Sequence, residues 1–539
     1  MTNRSGSSRR VPARIALVAV LGLLLAALLP LPAAVAAPTD ACDTRTNNTY
    51  QKLLECVTLE GVREHQAQFQ KIADANDDPF YPGTRAAGTE GYAESVEYVA
   101  GLLRDAGYEV TLDEFQFQFE FPAVLEQLTP PPAATYETGA FTGSAAGDVT
   151  GNVIPVDINL VPPRASTSGC EDADFAGLNF TGPNDIALIQ RGTCTFAEKA
   201  VNAQEAGAEA VIIFNQGNTP DREALIVGTL NPSPAPITIP VVGASFADGV
   251  ALARAGSTAH VKVDPSETRT DVNVIAERTG TNDDNVVMAG AHLDSVTAGP
   301  GIQDNGSGSA ALLETALMMA KVKPENTVRF AWWGAEELGL IGSTAYVDGL
   351  SQAERDRIAL YLNYDMIGSP NYIFMVYDAD ESTFEAPVAV PPGSTAIEDL
   401  YESYYTLVGE PYDDTEFSGR SDYQAFIEAG IPSGGLFTGA EVVKTEEQEA
   451  IWGGTAGEQF DPCYHEVCDT FDNINLHALE VNSDLVAFAQ LTFAYSTESV
   501  NGVPGKRVPG PPVNLPPPAG PEGTFASSGG GQGPGPIES

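Results

Sequence analysis

Stretches 286–290, 328–333 and 358–364 are apolar almost throughout, and segments of helical spacing separate them. A strand that is apolar on both sides has to be covered on both sides, and strands joined through helices run parallel. The chain is therefore expected to be α/β, with a mixed, mostly parallel central sheet flanked by helices. Ligand sites in such sheets lie beyond the carboxyl ends of the strands. His292, Glu336 and Asp365 each end or closely follow one of these runs, so the expected fold already points to a place for chemistry.

Five short blocks carry that chemistry: His292-Leu293-Asp294, Asp304-Asn305-Gly306, Glu336-Glu337, Asn363-Tyr364-Asp365-Met366 and Cys463-Tyr464-His465. Two divalent ions bridged by one carboxylate need about five nitrogen and oxygen ligands, plus a free carboxylate to handle the proton of an attacking water. Each block alone has a plainer reading. His292 is then a structural histidine, Asp304 a helix cap in a glycine loop, and Glu336-Glu337 a pair of acids at a helix start. Together they supply a complete two-metal set. Asp294, two residues from His292, is placed to fix its tautomer. Asp304, among glycines, is the candidate bridge. The glycine turn after Trp332-Trp333 aims Glu336 and Glu337 differently, one to a metal and one to the water. Asp365 closes an apolar strand, where an uncompensated carboxylate would be costly. Tyr464 can offer its hydroxyl to an oxyanion. His65, His260 and His477 lie in ordinary settings and receive no role.

Upstream, helices are expected over 53–75 and 92–107, then strands over 108–112 and 115–121. From 139 the texture changes to short β runs with one helix over 195–206, as in an inserted small α/β domain. The helix before the third metal block is expected over 309–319, and a helix over 476–495 closes the main domain. Beyond 501 the chain is rich in proline, glycine and serine, which predicts a disordered tail. At the other end Arg4, Arg9, Arg10 and Arg14 precede an apolar run over 15–29 and Ala34-Val35-Ala36. That is a secretory leader cleaved near Ala36, too short for a stable membrane anchor. Arg9-Arg10 leaves the export route open, and Thr39-Asp40-Ala41 before Cys42 is unlike a lipoprotein leader. The divisions are thus 1–36 leader, 37–138 first part of the main domain, 139–265 insert, 266–500 second part, and 501–539 tail.

Charge and cysteines set the environment. Asp and Glu number 73 against 27 Lys and Arg, a net charge of −46, which excludes nucleic acid as a partner. All six cysteines follow the leader, and sequence proximity favours Cys42 with Cys56, Cys170 with Cys194, and Cys463 with Cys468 as disulfides. A zinc-thiolate site is disfavoured because the chain has no C-x-x-C pair.

The five blocks, in this order, make the chain resemble the secreted bacterial di-zinc aminopeptidases of clan MH, the leucine aminopeptidase and aminopeptidase Y type, over about residues 50–498. The resemblance implies the zinc-dependent exopeptidase fold, with His292, Asp304 and Asp365 on one zinc and Asp304, Glu337 and His465 on the other. It implies Glu336 as general base, Asp294 as the partner of His292, Tyr464 as stabiliser of the tetrahedral intermediate, and a cis peptide between Asp304 and Asn305. It also implies that Arg420, in Ser418-Gly419-Arg420-Ser421-Asp422-Tyr423, lies near the substrate's N-terminal end, and that Phe437, in the loop 434–440, lines a hydrophobic specificity pocket. Ser168-Gly169-Cys170 and Ile189-Gln190-Arg191-Gly192-Thr193-Cys194 make the insert resemble a protease-associated (PA) domain, which supports the Cys170–Cys194 disulfide. The expected function is a secreted, monomeric zinc metalloaminopeptidase acting on peptides or proteins with a free N-terminus. It would prefer large hydrophobic N-terminal residues and use two Zn²⁺, a hydroxide shared between them and a glutamate base; Ca²⁺ is left open as a further ion. The rivals are a carboxypeptidase or glutamate-releasing hydrolase on the same fold, and a non-catalytic binding protein built on the PA domain.

Overall fold

The computed structural model describes residues 39–524, so the expected leader and residues 525–539 lie outside the described residues. The main domain is built on an eight-stranded mixed sheet in the order Glu109–Phe119, Glu267–Arg278, Asn326–Trp333, Asn282–His292, Ile358–Tyr364, Ser433–Phe437, Met375–Tyr377, Asp413–Thr415. The four central strands, from Asn326–Trp333 to Ser433–Phe437, run parallel, as the apolar runs predict. Antiparallel pairings join this block to its neighbours on both sides, and the edge pair Met375–Tyr377 and Asp413–Thr415 is parallel.

Alternation along one strand fills both faces. Trp332 joins the larger core with Val96, Leu312 and Phe488 from three helices, whereas Trp333 turns to the opposite face and meets Tyr346, Tyr361 and Phe426. Burying side chains of this size contributes about 1.5–3 kcal/mol each. The helix Gly306–Met319 starts three residues earlier than its apolar spacing suggests, because Asn305 caps it by accepting the Gly308 N–H. Gly308 is required there: a Cβ would lie 2.4 Å from the Tyr364 carbonyl oxygen. This close approach presses the helix start against the strand that ends at the catalytic block.

Three sequence expectations are corrected, and one is extended. The helix expected over 53–75 is two, Tyr50–Leu54 and Leu59–Ala75, because Thr58 is extended and its hydroxyl caps the second. The strands expected over 108–112 and 115–121 are one, Glu109–Phe119, held in register along its whole length by Glu267–Arg278. The sheet of the insert also takes in strands from before residue 139. Val124–Thr129 and Ala134–Tyr136 belong to this seven-stranded sheet, and Val124–Thr129 pairs with Thr258–Val263, a long-range contact that local texture does not reveal. The tail is ordered through Thr524. Val508 is buried, Lys506 pairs with Glu325 at 2.6 Å, the Gly520 N–H donates to the Tyr412 hydroxyl at 2.8 Å, and Thr524 donates to Asp413. A polar segment can be fixed by hydrogen bonds to a surface already folded, which composition does not show.

The three disulfides are Cys42–Cys56, Cys170–Cys194 and Cys463–Cys468. No helix among the described residues is long and apolar enough to cross a membrane.

Candidate metal centre

The five blocks meet at the carboxyl ends of the central strands. His292 is the last residue of its strand, Asp365 follows Tyr364 directly, Glu336 and Glu337 follow Trp333, and Asp304 precedes the helix that packs beneath them. His465 arrives from the loop closed by Cys463–Cys468. Ala335, Met366 and His465 have φ of 54°, 52° and 58°, left-handed conformations that non-glycine residues adopt at a cost and that turn the adjoining side chains inward. The Asp304–Asn305 peptide is cis.

Asp304 divides its two oxygens between two imidazoles. Oδ1 lies 3.2 Å from His292 Nε2, and Oδ2 lies 3.2 Å from His465 Nε2. Asp365 Oδ1 is 3.3 Å from the same His292 nitrogen, and Glu337 Oε2 is 3.0 Å from the same His465 nitrogen. Two triads therefore share Asp304, and a third convergence takes in His292, Glu336 and Glu337. Ligand atoms bonded to one ion at about 2.0–2.1 Å stand about 3.3 Å apart in a tetrahedron. The observed spacings match that edge. Asp365 Oδ1 and Glu337 Oε1 are buried without a hydrogen-bond partner, a cost that a cation removes.

The electrostatics demand positive charge at this point. Burial pushes Glu336 well above the usual carboxylate range, His292 opposes this, and Glu337 and Asp365 add repulsion. Burial and Asp304 push Glu337 up to about 7. Burial opposes protonation of His465, but Glu337 and Asp304 outweigh it and raise the imidazole to about 10. Asp304, though buried, is held well below its ordinary value by hydrogen bonds from both histidines.

Around this cluster the structure refines one sequence assignment. His292 Nδ1 lies 3.0 Å from the main-chain oxygen of Asp294 and 3.6 Å from its carboxylate, so the backbone fixes the tautomer. The Asp294 carboxylate instead accepts the Glu336 N–H at 3.2 Å. Several supporting residues escaped the sequence reading. Ser421 donates to Asp365 Oδ2 at 2.6 Å and is itself held by Asn363 at 2.8 Å. Asp469 accepts the N–H groups of Gln303 and Asp304 at 2.8 and 3.0 Å, anchoring the bridging loop. Glu441 binds Arg420 at 2.9 Å. Ser421 adjoins Arg420 in a block already singled out, which was the available signal; Asp469 and Glu441 carry none of their own.

The cluster opens into a solvent-exposed cleft, about 830 Å³ with the open solvent at its mouth, whose lining includes the apolar Met375, Tyr377, Phe384, Phe437 and Phe460. Arg420 donates to the Tyr464 hydroxyl oxygen at 3.0 Å, and the Tyr464 ring stacks on His465 at 3.8 Å. His292, Asp304, Glu336, Glu337, Asp365, Arg420, Phe437, Tyr464 and His465 all line this cleft, whereas Asp294 touches it only through the Glu336 backbone.

Residues 273–490 match the family model described as Peptidase family M28, and residues 138–252 match the PA domain model. An aminopeptidase of Pseudomonas aeruginosa is 49% identical over 457 residues, covering 83% of both chains. The chain belongs to peptidase family M28. This M28 chain is also 41% identical over 425 residues to a probable leucine aminopeptidase 2 of Aspergillus fumigatus, covering 77% of this chain and 80% of that one. Its structure resembles that of a zinc aminopeptidase from Bacillus subtilis, with 26% identity and a TM-score of 0.60, over 82% of this chain and 97% of the other.

Proposed function

We propose that this M28 peptidase is a secreted zinc aminopeptidase that holds two zinc ions, one on His292, Asp304 and Asp365 and the other on Asp304, Glu337 and His465. The observation that carries the reading is the division of the Asp304 oxygens between two imidazoles. Zinc is supported by the mixed imidazole and carboxylate donors and by the zinc aminopeptidase among the structural relatives. Bound there, the ions supply Lewis acidity, polarising the scissile carbonyl and making water a nucleophile near neutral pH.

The chain's own residues do the rest. Glu336, its backbone held by Asp294 and its proton affinity raised by burial, takes the proton of the attacking water at its carboxylate and passes it to the leaving amine. Because Arg420 donates to the Tyr464 oxygen, the Tyr464 O–H is left to donate to the developing oxyanion. Burial first, then Asp304 and Glu337, raise the Tyr464 hydroxyl far above its ordinary value, so it stays protonated. The substrate ammonium sits against Asp365 and the neighbouring acids. The first side chain enters the apolar end of the cleft at Phe437, which supports a preference for large hydrophobic residues, as do relatives named leucine aminopeptidases.

A carboxypeptidase would need a free guanidinium for the terminal carboxylate. Among the described residues lining the cleft Arg420 is the one arginine, and Glu441 already pairs with it. Secretion is supported by three disulfides, and the monomeric state rests on the sequence resemblance alone. Calcium, the further ion left open by the sequence, needs a site of oxygen donors, and the catalytic cluster with its two imidazoles is not of that kind.

The test is hydrolysis of leucine p-nitroanilide by the full chain, with and without chelator, beside the N-acetylated compound. Chelator-sensitive release from the free amine alone is expected. Release from the acetylated compound, or release unaffected by chelator with metal shown to be removed, overturns the proposal.

A further inference from the structure

A second convergence of carboxylates lies apart from the catalytic ligands. Glu398 and Glu402, one helical turn apart on Ser394–Val408, meet Asp414 of the edge strand Asp413–Thr415, and each offers a ligand atom within 4.8 Å of the others. Asp378 and Asp380 extend the group by forming a second triad with Glu398. Glu398, Glu402 and Asp414 are 3%, 8% and 1% exposed, so water does not screen them. Some of their oxygens have partners. Thr383 and Ser382 donate to Asp414 Oδ2, the Asp380 N–H donates to Glu398 at 3.1 Å, and Tyr412 bonds to Glu402. Asp378 accepts the N–H groups of Ser382, Thr383 and Phe384. Asp414 Oδ1 is left over, buried and without a partner. Burial, reinforced by the neighbouring acids, pushes Glu398 up to about 9 and Glu402 to about 7. The catalytic reaction uses none of these residues.

We propose that Glu398, Glu402 and Asp414 bind a calcium ion at a third metal site, separate from the catalytic pair. The donors are all oxygen, with neither imidazole nor thiolate, which suits a hard cation and disfavours zinc. Calcium accepts an irregular set completed by carbonyls or water, whereas magnesium demands near-octahedral geometry. The site joins the segments that build the cleft wall. Met375 and Tyr377 precede Asp378, Phe384 closes the turn that Asp378 holds, and Thr415 and Glu416 follow Asp414. The ordered tail reaches the same place, since Gly520 donates to Tyr412 and Thr524 donates to Asp413. Calcium would thus brace the specificity pocket and the C-terminal segment together.

Calcium binding is read independently of peptidase activity, so failure here and failure of the aminopeptidase reading are separable. The full chain, stripped of metal and reloaded with zinc, is titrated with calcium chloride by calorimetry and melted with and without millimolar calcium. One calcium per chain and a Tm rise of about 2 °C or more are expected. Glu402→Gln, and as a second variant Asp414→Asn, should weaken calcium binding by about tenfold or more and abolish the Tm response. Both should keep two zinc ions. Without calcium, Glu402→Gln should melt no lower than the parent, because it removes a like charge from a buried cluster. Absence of calcium binding in the parent overturns the proposal, as does unchanged calcium affinity in both variants, which would put the ion elsewhere.

Discussion

The PA insert and the peptidase domain both bury polar side chains at the carboxyl ends of parallel strands, and they treat them in opposite ways. In the insert the groups are amides and they are satisfied. Gln190 donates to the Asn159 and Gln216 carbonyl oxygens at 3.1 and 3.0 Å and accepts the Asn159 N–H at 2.7 Å. Asn215 donates to the Ala224 carbonyl at 3.0 Å, and Gln216 to that of Arg164 at 2.9 Å. In the peptidase domain the corresponding groups are carboxylates and imidazoles, and buried oxygens of Asp365 and Glu337 have no partner. The same architecture therefore serves stability in one place and chemistry in the other. The difference lies in whether the buried polar groups are satisfied from within the protein.

Substitutions on the two sides should separate accordingly. The largest effect belongs to Glu336→Ala, which should lower kcat on leucine p-nitroanilide by about 10²–10⁴-fold while metal analysis still finds two zinc ions per chain. Undiminished turnover would remove Glu336 from the base role. Tyr464→Phe should cost about 10²–10³-fold in kcat with a smaller change in KM. An effect on KM alone would make Tyr464 a binding residue.

Across the comparison, Gln190→Ala should lower unfolding stability by about 1–3 kcal/mol, since it strands buried backbone groups, and leave kcat/KM within about twofold. A large loss of activity at unchanged stability would break the contrast by giving the insert a part in catalysis. The smallest effect concerns His260, which lies 3.1 Å from Glu126 and 2.9 Å from Asp148 on the insert surface. Partial burial disfavours its charged form, but the two carboxylates outweigh this and raise it above its ordinary value. Because the folded state holds this proton more tightly, the stabilisation is complete below about pH 6.5 and disappears as pH rises through the raised value. The Tm advantage of the parent over His260→Gln should follow that course in calorimetry, and a constant difference from pH 5 to 9 would exclude it.

The candidate ligands were legible because His292, Glu337 and Asp365 stand at or just after apolar runs, Asp304 in a glycine loop and His465 between two nearby cysteines, features of short range. The supporting residues were not. Asp469, Ser421 and Glu441 are ordinary loop acids and a serine until folding brings them to the backbone of Asp304, to the Asp365 carboxylate and to Arg420. The role of Asp294 was partly legible. Its spacing from His292 marked it as a partner, but spacing does not distinguish a main-chain oxygen from a carboxylate.

By itself the sequence determined the parallel core and its central strands, the five candidate blocks of the site, the cysteine pairs nearest in sequence and the presence of an insert, because these follow from local periodicity, residue type and proximity. Only the tertiary structure decided which upstream strands join the sheet of the insert, that the tail to Thr524 is fixed, and that five acids spread over residues 378–414 converge away from the active site. Each of those depends on pairings between distant segments, whose energy comes from burial and hydrogen bonds that exist only once the sheet has formed.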